Sequence, residues 1–288
     1  MYSSNFEYFR PATAAEAVAL LRAHPGAKLL AGGHSLLPQM KLRVAQPSAL
    51  VDIGRLSDLA ALSLDGAMLK IGATTTHNTL ATSPLVAEHC PILAEAAAQI
   101  GDQQVRNRGT VGGSLAHADP AADLPTVMLA LGATLTALGA DGSREIAAAA
   151  FNTDLFTTAL QPDEILTGIS VRTYGAGTGG AYLKHEHPAS GFAVVGVAAI
   201  VMIKDGRCTG ASIAIGGTTP TPVRATAAEA VLAGKALDTA TIAAAAAKVN
   251  DAISDPLSDH YASGDYRRHL ATVLTRRALV AAAHRAAG

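Results

Sequence analysis

Two short segments of this chain carry the residues that a phosphate cradle needs: Ala31-Gly32-Gly33-His34-Ser35 and Thr110-Val111-Gly112-Gly113-Ser114. Each holds paired glycines and ends on a hydroxyl-bearing residue. Glycine reaches left-handed φ values and lets a ligand approach the backbone, so successive N–H groups can converge on an anion. Two such segments, brought together, could hold both phosphates of a dinucleotide. The expectation is one large anionic cofactor between two stretches of backbone.

Other candidates are read with their plainer alternatives beside them. Asp123 follows the second segment, where a carboxylate can accept hydrogen bonds from a ribose hydroxyl pair; an N-cap for the following segment is equally open. Lys184 lies mid-strand among the apolar neighbours Tyr182, Leu183 and Phe192. It reads either as a lysine solvated on one face or as a cation beside an electron-rich flavin edge. His34 reads as a loop side chain near phosphate rather than a covalent flavin attachment, and His117 and Asp119 as groups that order the second loop rather than an acid–base pair. His185 and His187 share one strand face and read as a surface pair, because helical HExxH spacing is absent. Gly175-x-Gly177-x-x-Gly180 matches a dinucleotide fingerprint in letters only. The strand-like Ala181-Tyr182-Leu183-Lys184 follows it, so it is expected to be a flexible linker at a domain boundary.

The elements that must position these groups are legible in outline. Thr13 and Glu16 form a capping box for a helix ending near His24-Pro25-Gly26. Lys28 to Ala31 reads as a strand running into Gly32, Leu36 to Arg43 as helix, and Ala49 to Ile53 as strand. Met68 to Ala73 reads as strand, Thr76 to Ala81 as a short helix, and Leu85 to Ile100 as one longer helix. A hydrophobic stretch covers Leu124 to Leu138, Asp141-Gly142-Ser143 reads as a hairpin turn, and Ile165 to Arg172 as strand. Beyond the linker, Ala181 to Glu186, Phe192 to Lys204 and Cys208 to Gly216 read as three antiparallel strands. Helices are expected over 225–233, 239–252 and 266–287, an α+β arrangement.

Composition narrows the classes. The 288 residues are 49% hydrophobic and 16% charged, with a formal net charge of −1. That describes a folded globular chain and excludes the basic surface of a nucleic-acid binder. Cys90 and Cys208 are isolated, so no disulfide framework and no iron–sulfur or CxxC metal site is expected. The run from Ala193 to Ile203 is too short to span a bilayer. The start MYSSNFEYFRP lacks a signal-peptide pattern. A cytoplasmic chain is expected, with association to the inner face of the membrane left open.

The stretch LLAGGHSLLPQMKLR at Leu29 to Arg43 resembles the FAD-binding medium subunits of the molybdenum hydroxylases, of the aerobic carbon monoxide dehydrogenase and xanthine dehydrogenase type. Further matches are RPATAAEAVALL near the N-terminus, VRNRGTVGGSLAHADPAADLP at Val105 to Pro125, EILTGISV at Glu164 to Val171 and YLKHEHPASGFAVVGVAA at Tyr182 to Ala199. The resemblance covers nearly the whole chain. It implies an α+β fold of the vanillyl-alcohol-oxidase type: two α/β FAD-binding subdomains over 1–58 and 59–175, and a C-terminal α+β domain with a three-stranded antiparallel sheet over 176–288. It also implies noncovalent FAD. Leu29, Leu30, Ala31, Gly32, Gly33, His34, Ser35 and Leu36 would wrap the pyrophosphate, and Thr110, Val111, Gly112, Gly113 and Ser114 would close on it. Ile100 would lie near the flavin nucleotide, Asp123 on a ribose or ribityl hydroxyl, and Leu166 would contribute its main chain. Lys184 would sit by the isoalloxazine, and Phe192 would stand where these subunits tend to have tyrosine. Ser114 replaces a common aspartate, and His187-Pro188 departs from an arginine-containing version.

No catalytic acid, base or metal site is expected in this chain. The resemblance puts molybdopterin on a large partner and two [2Fe–2S] clusters on a small one, in a heterotrimer that passes electrons through FAD to quinone or NAD. The rival readings are a stand-alone FAD-dependent reductase of the same fold and a non-catalytic assembly protein.

Overall fold

The computed structural model describes residues 2–288, which build three principal sheets in chain order. Strands β1 (Glu7–Phe9), β2 (Lys28–Leu30) and β3 (Ala49–Asp52) form a parallel sheet in the order β1-β3-β2. Parallel strands need crossover connections, and helices Ala14–Ala23 and Leu36–Lys41 supply them. The first opens on the expected cap. Glu16 N–H donates to Thr13 Oγ1 at 3.1 Å, and the Glu16 carboxylate accepts from Ala12 N–H at 2.7 Å.

The second sheet contains β4 (Leu62–Asp65), β5 (Met68–Gly72), β6 (Thr134–Gly139) and β7 (Gly142–Ala147). A small hairpin of β8 (Asn152–Asp154) and β9 (Thr157–Thr158) follows, and β10 (Ile165–Arg172) returns to the sheet. All its pairings are antiparallel, in the order β4-β5-β10-β6-β7. The turn joining β6 to β7 holds Asp141 and Gly142, the latter at φ +112°, as the hairpin reading expects. The expected long helix over Leu85 to Ile100 is instead two, Pro84–His89 and Pro91–Ala98. Pro91 lacks an N–H and so begins a new helix rather than continuing the old one. The hydrophobic stretch after Asp123 also divides: helix Asp123–Leu131 ends at Gly132, whose φ of +60° turns the chain into β6.

The third sheet is antiparallel and ordered β11 (Thr178–Glu186), β12 (Ala193–Lys204), β13 (Arg207–Gly216), β14 (Val223–Arg224). The short β14 is a fourth strand beyond the three expected. Helix Gly264–Ala286 packs on β11 and β12. Its seat explains the glycines read as a flexible linker, because Gly179 and Gly180 belong to β11. A Cβ on Gly179 would lie 2.1 Å from Ala282 O, and one on Gly180 would lie 2.0 Å from the Tyr174 hydroxyl. These residues are bare so that a helix and an aromatic ring can lie against the strand.

β12 is covered on both faces. Ala198 and Ile200 join the core around Leu124 and Met128, while Val197, Ala199 and Val201 join the core of Ala271, Ala278 and Ala282. A strand sealed on both sides reads as a continuous apolar run. That accounts for Ala193 to Ile203; among the described residues no helix is long and apolar enough to cross a membrane.

Candidate functional site

β2 runs straight into Gly32, and Gly33 adopts φ +77° before helix Leu36–Lys41 begins. The left-handed step folds the backbone into a concave turn. Among the described residues, the N–H groups of Gly32, Gly33, His34, Ser35 and Leu36 find no acceptor. His34 turns its Nδ1 back to Gly32 O at 3.1 Å. Five successive donors at one turn are thus left unpaired by the protein.

The second glycine segment is built differently from the expectation. It is the first turn of helix Val111–His117, with Thr110 as N-cap. Its amides are already engaged: Val111 donates to Thr75 O, Gly112 to Ala73 O, Gly113 to Thr110 Oγ1 and Ser114 to Thr110 O. The free donors therefore come from the first segment; Gly113 supplies bare surface, while buried Gly112 is bare so that Ala73 can pack against it. The two segments are held together by backbone contact. A Cβ on Gly32 would lie 2.1 Å from Arg108 O and 2.9 Å from Gly109 Cα.

Between them opens a cavity of about 660 Å³, within the roughly 300–1,000 Å³ typical of small-molecule sites. Of the residues singled out in the sequence, Leu29, Ala31, Gly32, Gly33, His34, Ser35, Leu36, Ile100, Thr110, Gly112, Gly113, Ser114, Asp123, Leu166 and Phe192 line it. Leu30, Val111 and Lys184 do not; Val111 is fully buried in the core behind the helix. Phe192 lies on the turn between β11 and β12, half exposed at the cavity mouth. That turn is closed by His187 N–H donating to Phe192 O at 2.8 Å.

Asp123 and Lys184 come together: Asp123 lines the cavity without serving as the N-cap, and Lys184 is neither solvated nor on the cavity wall. Asp123 is the first residue of its helix and caps nothing; the N-cap is Ala122. Its Oδ1 accepts from Tyr182 Oη at 2.7 Å and lies 3.1 Å from Lys184 Nζ. Lys184 is buried rather than solvated, and its ammonium also donates to Gln99 O at 2.9 Å and Gly191 O at 2.7 Å. With three protons and these partners, it is saturated by the protein and stands behind Asp123 rather than on the cavity wall. Burial pushes the Asp123 carboxyl up while Lys184 and Tyr182 oppose it, and burial with Asp123 alongside pushes the Tyr182 phenol well up.

Several lining residues escaped sequence reasoning. His77, at the start of helix His77–Thr82, faces the cavity, and burial holds its imidazole down to about 4. The only signal was a run of three threonines before a histidine between a strand and a glycine segment. Phe156 takes φ +51° and donates its N–H to Ala118 O, itself at φ +53°. His117 packs on Phe156 with ring centroids 5.3 Å apart, and burial lowers its pKa. Asp119 orders the expected turn by accepting from Ala121 N–H at 2.9 Å. His185 and His187 lie outside the cavity, both against Tyr261, with His185 Nε2 3.2 Å from Tyr261 Oη. Among the described residues no group of three or more His, Cys, Asp or Glu side chains could hold a metal.

A cavity of this size, walled by bare glycines and by five unused amides, fits a diphosphate-bearing dinucleotide. Comparison with known proteins points the same way. Residues 4–173 match the FAD binding domain in molybdopterin dehydrogenase, and residues 181–282 match the CO dehydrogenase flavoprotein C-terminal domain. The carbon monoxide dehydrogenase medium chain of Hydrogenophaga pseudoflava is 41% identical over 98% of both chains. Subunit alpha of the 6-hydroxypseudooxynicotine dehydrogenase complex of Paenarthrobacter nicotinovorans is 39% identical over 90% of this chain and 88% of its own. A solved structure of the H. pseudoflava carbon monoxide dehydrogenase lacking the Mo-pyranopterin moiety superposes with a TM-score of 0.96, at 42% identity and 99% coverage of both chains. Matched along its whole length in sequence and backbone, and carrying the glycine-walled cavity between its first two sheets, the chain belongs to the FAD-binding medium subunits of the molybdenum hydroxylase family.

Proposed function

We propose that this chain is the electron-transfer subunit of a heterotrimeric molybdenum hydroxylase and holds its FAD noncovalently in the cavity between the two glycine segments. Substrate is oxidised on a large molybdopterin-bearing partner. Electrons arrive from the [2Fe–2S] clusters of a small partner and leave to quinone or NAD. The working compartment is the cytoplasm, and the three subdomains span 1–58, 59–175 and 176–288. The observation that carries this reading is the row of five unpaired amides at Gly32 to Leu36, where a diphosphate would supply the missing acceptors.

Bound FAD supplies the one- and two-electron chemistry. The chain's own residues position it. Gly32 to Leu36 would offer donors to the diphosphate; Gly113 leaves room opposite; Ile100 and Leu166 give apolar wall. Asp123, fixed by Tyr182 and Lys184, presents a carboxylate to a sugar or ribityl hydroxyl. Lys184 reaches the site only through Asp123 and Gly191, so its contribution is to hold the turn that carries Phe192. Phe192, at the cavity mouth, would shield a bound ring system from water.

The test is the absorption spectrum of the purified full chain, with the flavin identified after heat release. One releasable FAD per chain is expected. A colourless chain that refuses added FAD would overturn the reading, and turnover of substrate by this chain alone would overturn the heterotrimer.

A further inference from the structure

His77 sits beneath the junction of the two glycine segments. Its backbone N–H donates to Gly109 O at 2.9 Å, and its ring packs so closely on Gly109 that a Cβ there would lie 2.9 Å from Nε2. Gly32 rests against the carbonyl of Arg108 and the Cα of Gly109. The imidazole is therefore next to the turn of five free amides, and it lines the same cavity.

His77 is 5% exposed, its Nδ1 is sealed from solvent without a partner, and neither ring nitrogen has a hydrogen bond among the described residues. Leaving a buried imidazole unpaired is costly, so a native structure that does so calls for an explanation. Because Nδ1 is closed off, only Nε2 can reach a molecule in the cavity. The Nε2–H tautomer leaves nothing worse than a lone pair in the core and turns a donor toward the cavity. Burial keeps the ring neutral, with His34 and Arg106 acting in the same direction. Those same positive or protonatable neighbours favour an anion close by.

From this geometry we infer that His77 is a further cofactor-binding residue, donating from Nε2–H to the diphosphate that the Gly32 to Leu36 amides face. The inference rests on the FAD reading of the cavity and adds a side-chain donor to a site otherwise built from backbone.

The test uses apoprotein of the full chain, titrated with FAD and with riboflavin, which lacks phosphate, and followed by flavin fluorescence. His77→Leu should raise the FAD dissociation constant at least about tenfold, the scale of one lost hydrogen bond to a charged group. His77→Gln should recover most of that loss, and riboflavin affinity should be equal in all three proteins. FAD binding unchanged in His77→Leu, or loss of both flavins by the same factor, would overturn the contact. A wild-type chain that binds neither flavin would instead overturn the cofactor reading itself. Should His77→Leu fail to fold, wild-type chain labelled with ¹⁵N-histidine decides the matter. Inorganic pyrophosphate should shift the His77 Nε2 resonance, and an unmoved resonance at saturation would count against the contact.

Discussion

The Lys184 ammonium lies 3.1 Å from the Asp123 carboxylate, with side chains only 2% and 5% exposed. One belongs to the C-terminal sheet and the other to the helix that walls the cavity. A network extends from the pair: Tyr182 bonds Asp123 through its hydroxyl and Glu95 through its backbone N–H, and Arg285 grips Glu95 from the last helix. A charge buried here is tolerable only because every partner is present.

Removing one partner should therefore be severe. Lys184→Met is expected to cost about 3–5 kcal/mol of unfolding free energy, the scale for stranding a buried charge. The double variant Asp123→Asn, Lys184→Met should regain a large part of it. Chemical denaturation of the four proteins in this cycle measures both, and a loss under about 1 kcal/mol in the single variant would contradict the account.

The two glycine segments should respond unequally to a methyl group. At Gly32 a Cβ meets backbone at 2.1 Å, so Gly32→Ala must part the segments; at Gly113 it meets only the Thr110 hydroxyl at 2.7 Å. Gly32→Ala should lose FAD binding and melt several degrees lower, while Gly113→Ala should change melting much less. Equal effects on melting would show that the backbone contact is not holding the segments together.

Glu164 gives the fold a pH dependence that can be isolated. Arg144 grips its carboxylate at 2.6 and 2.7 Å and holds its pKa below the usual value. Its stabilisation is thus complete above the unfolded carboxyl value, about 4.3, and fades as pH falls through the lower folded value. The stability advantage of wild type over Glu164→Gln should shrink between about pH 5 and pH 3. A constant difference across that range would place the pair's contribution elsewhere.

Both thiols should be silent in the folded chain. Cys90 and Cys208 are 0% and 1% exposed, and burial pushes the Cys90 thiol up to about 12. Alkylating reagents at neutral pH should label neither residue until denaturant is added. Rapid native labelling would mean that the core around Cys90 opens.

Much of this was legible in the chain because it rests on local rules. The Thr13 cap, the Asp141-Gly142 hairpin and the apolar strand runs of the third sheet follow from neighbouring residues alone. The first glycine segment, at the end of β2, pointed to a cavity, and the second lines it from the start of a helix. What stayed hidden depends on distant partners. Lys184 reads as solvated until Asp123, Gln99 and Gly191 are seen to surround it, and Gly179 reads as flexible until Ala282 arrives beside it. Whether the amides of Gly112 and Gly113 are free depends on carbonyls at Ala73 and on the Thr110 cap. Pro91, by contrast, marks in the sequence itself where one helix must end and the next begin.

The double-sided burial of β12 bears on how such chains can be recombined. One face of that strand belongs to the core of the second sheet, and Gly216 on the adjoining strand is bare because Thr126 presses against it at what would be 2.0 Å from a Cβ. A chimaera that joins residues 1–173 of this chain to the C-terminal half of a relative would have to match that seam residue for residue. Expressed alone, the segment from Ala181 onward would present Ala198, Ile200 and Ala214 to water as a sticky face. The two matched modules are separable as text but inherit each other as surfaces.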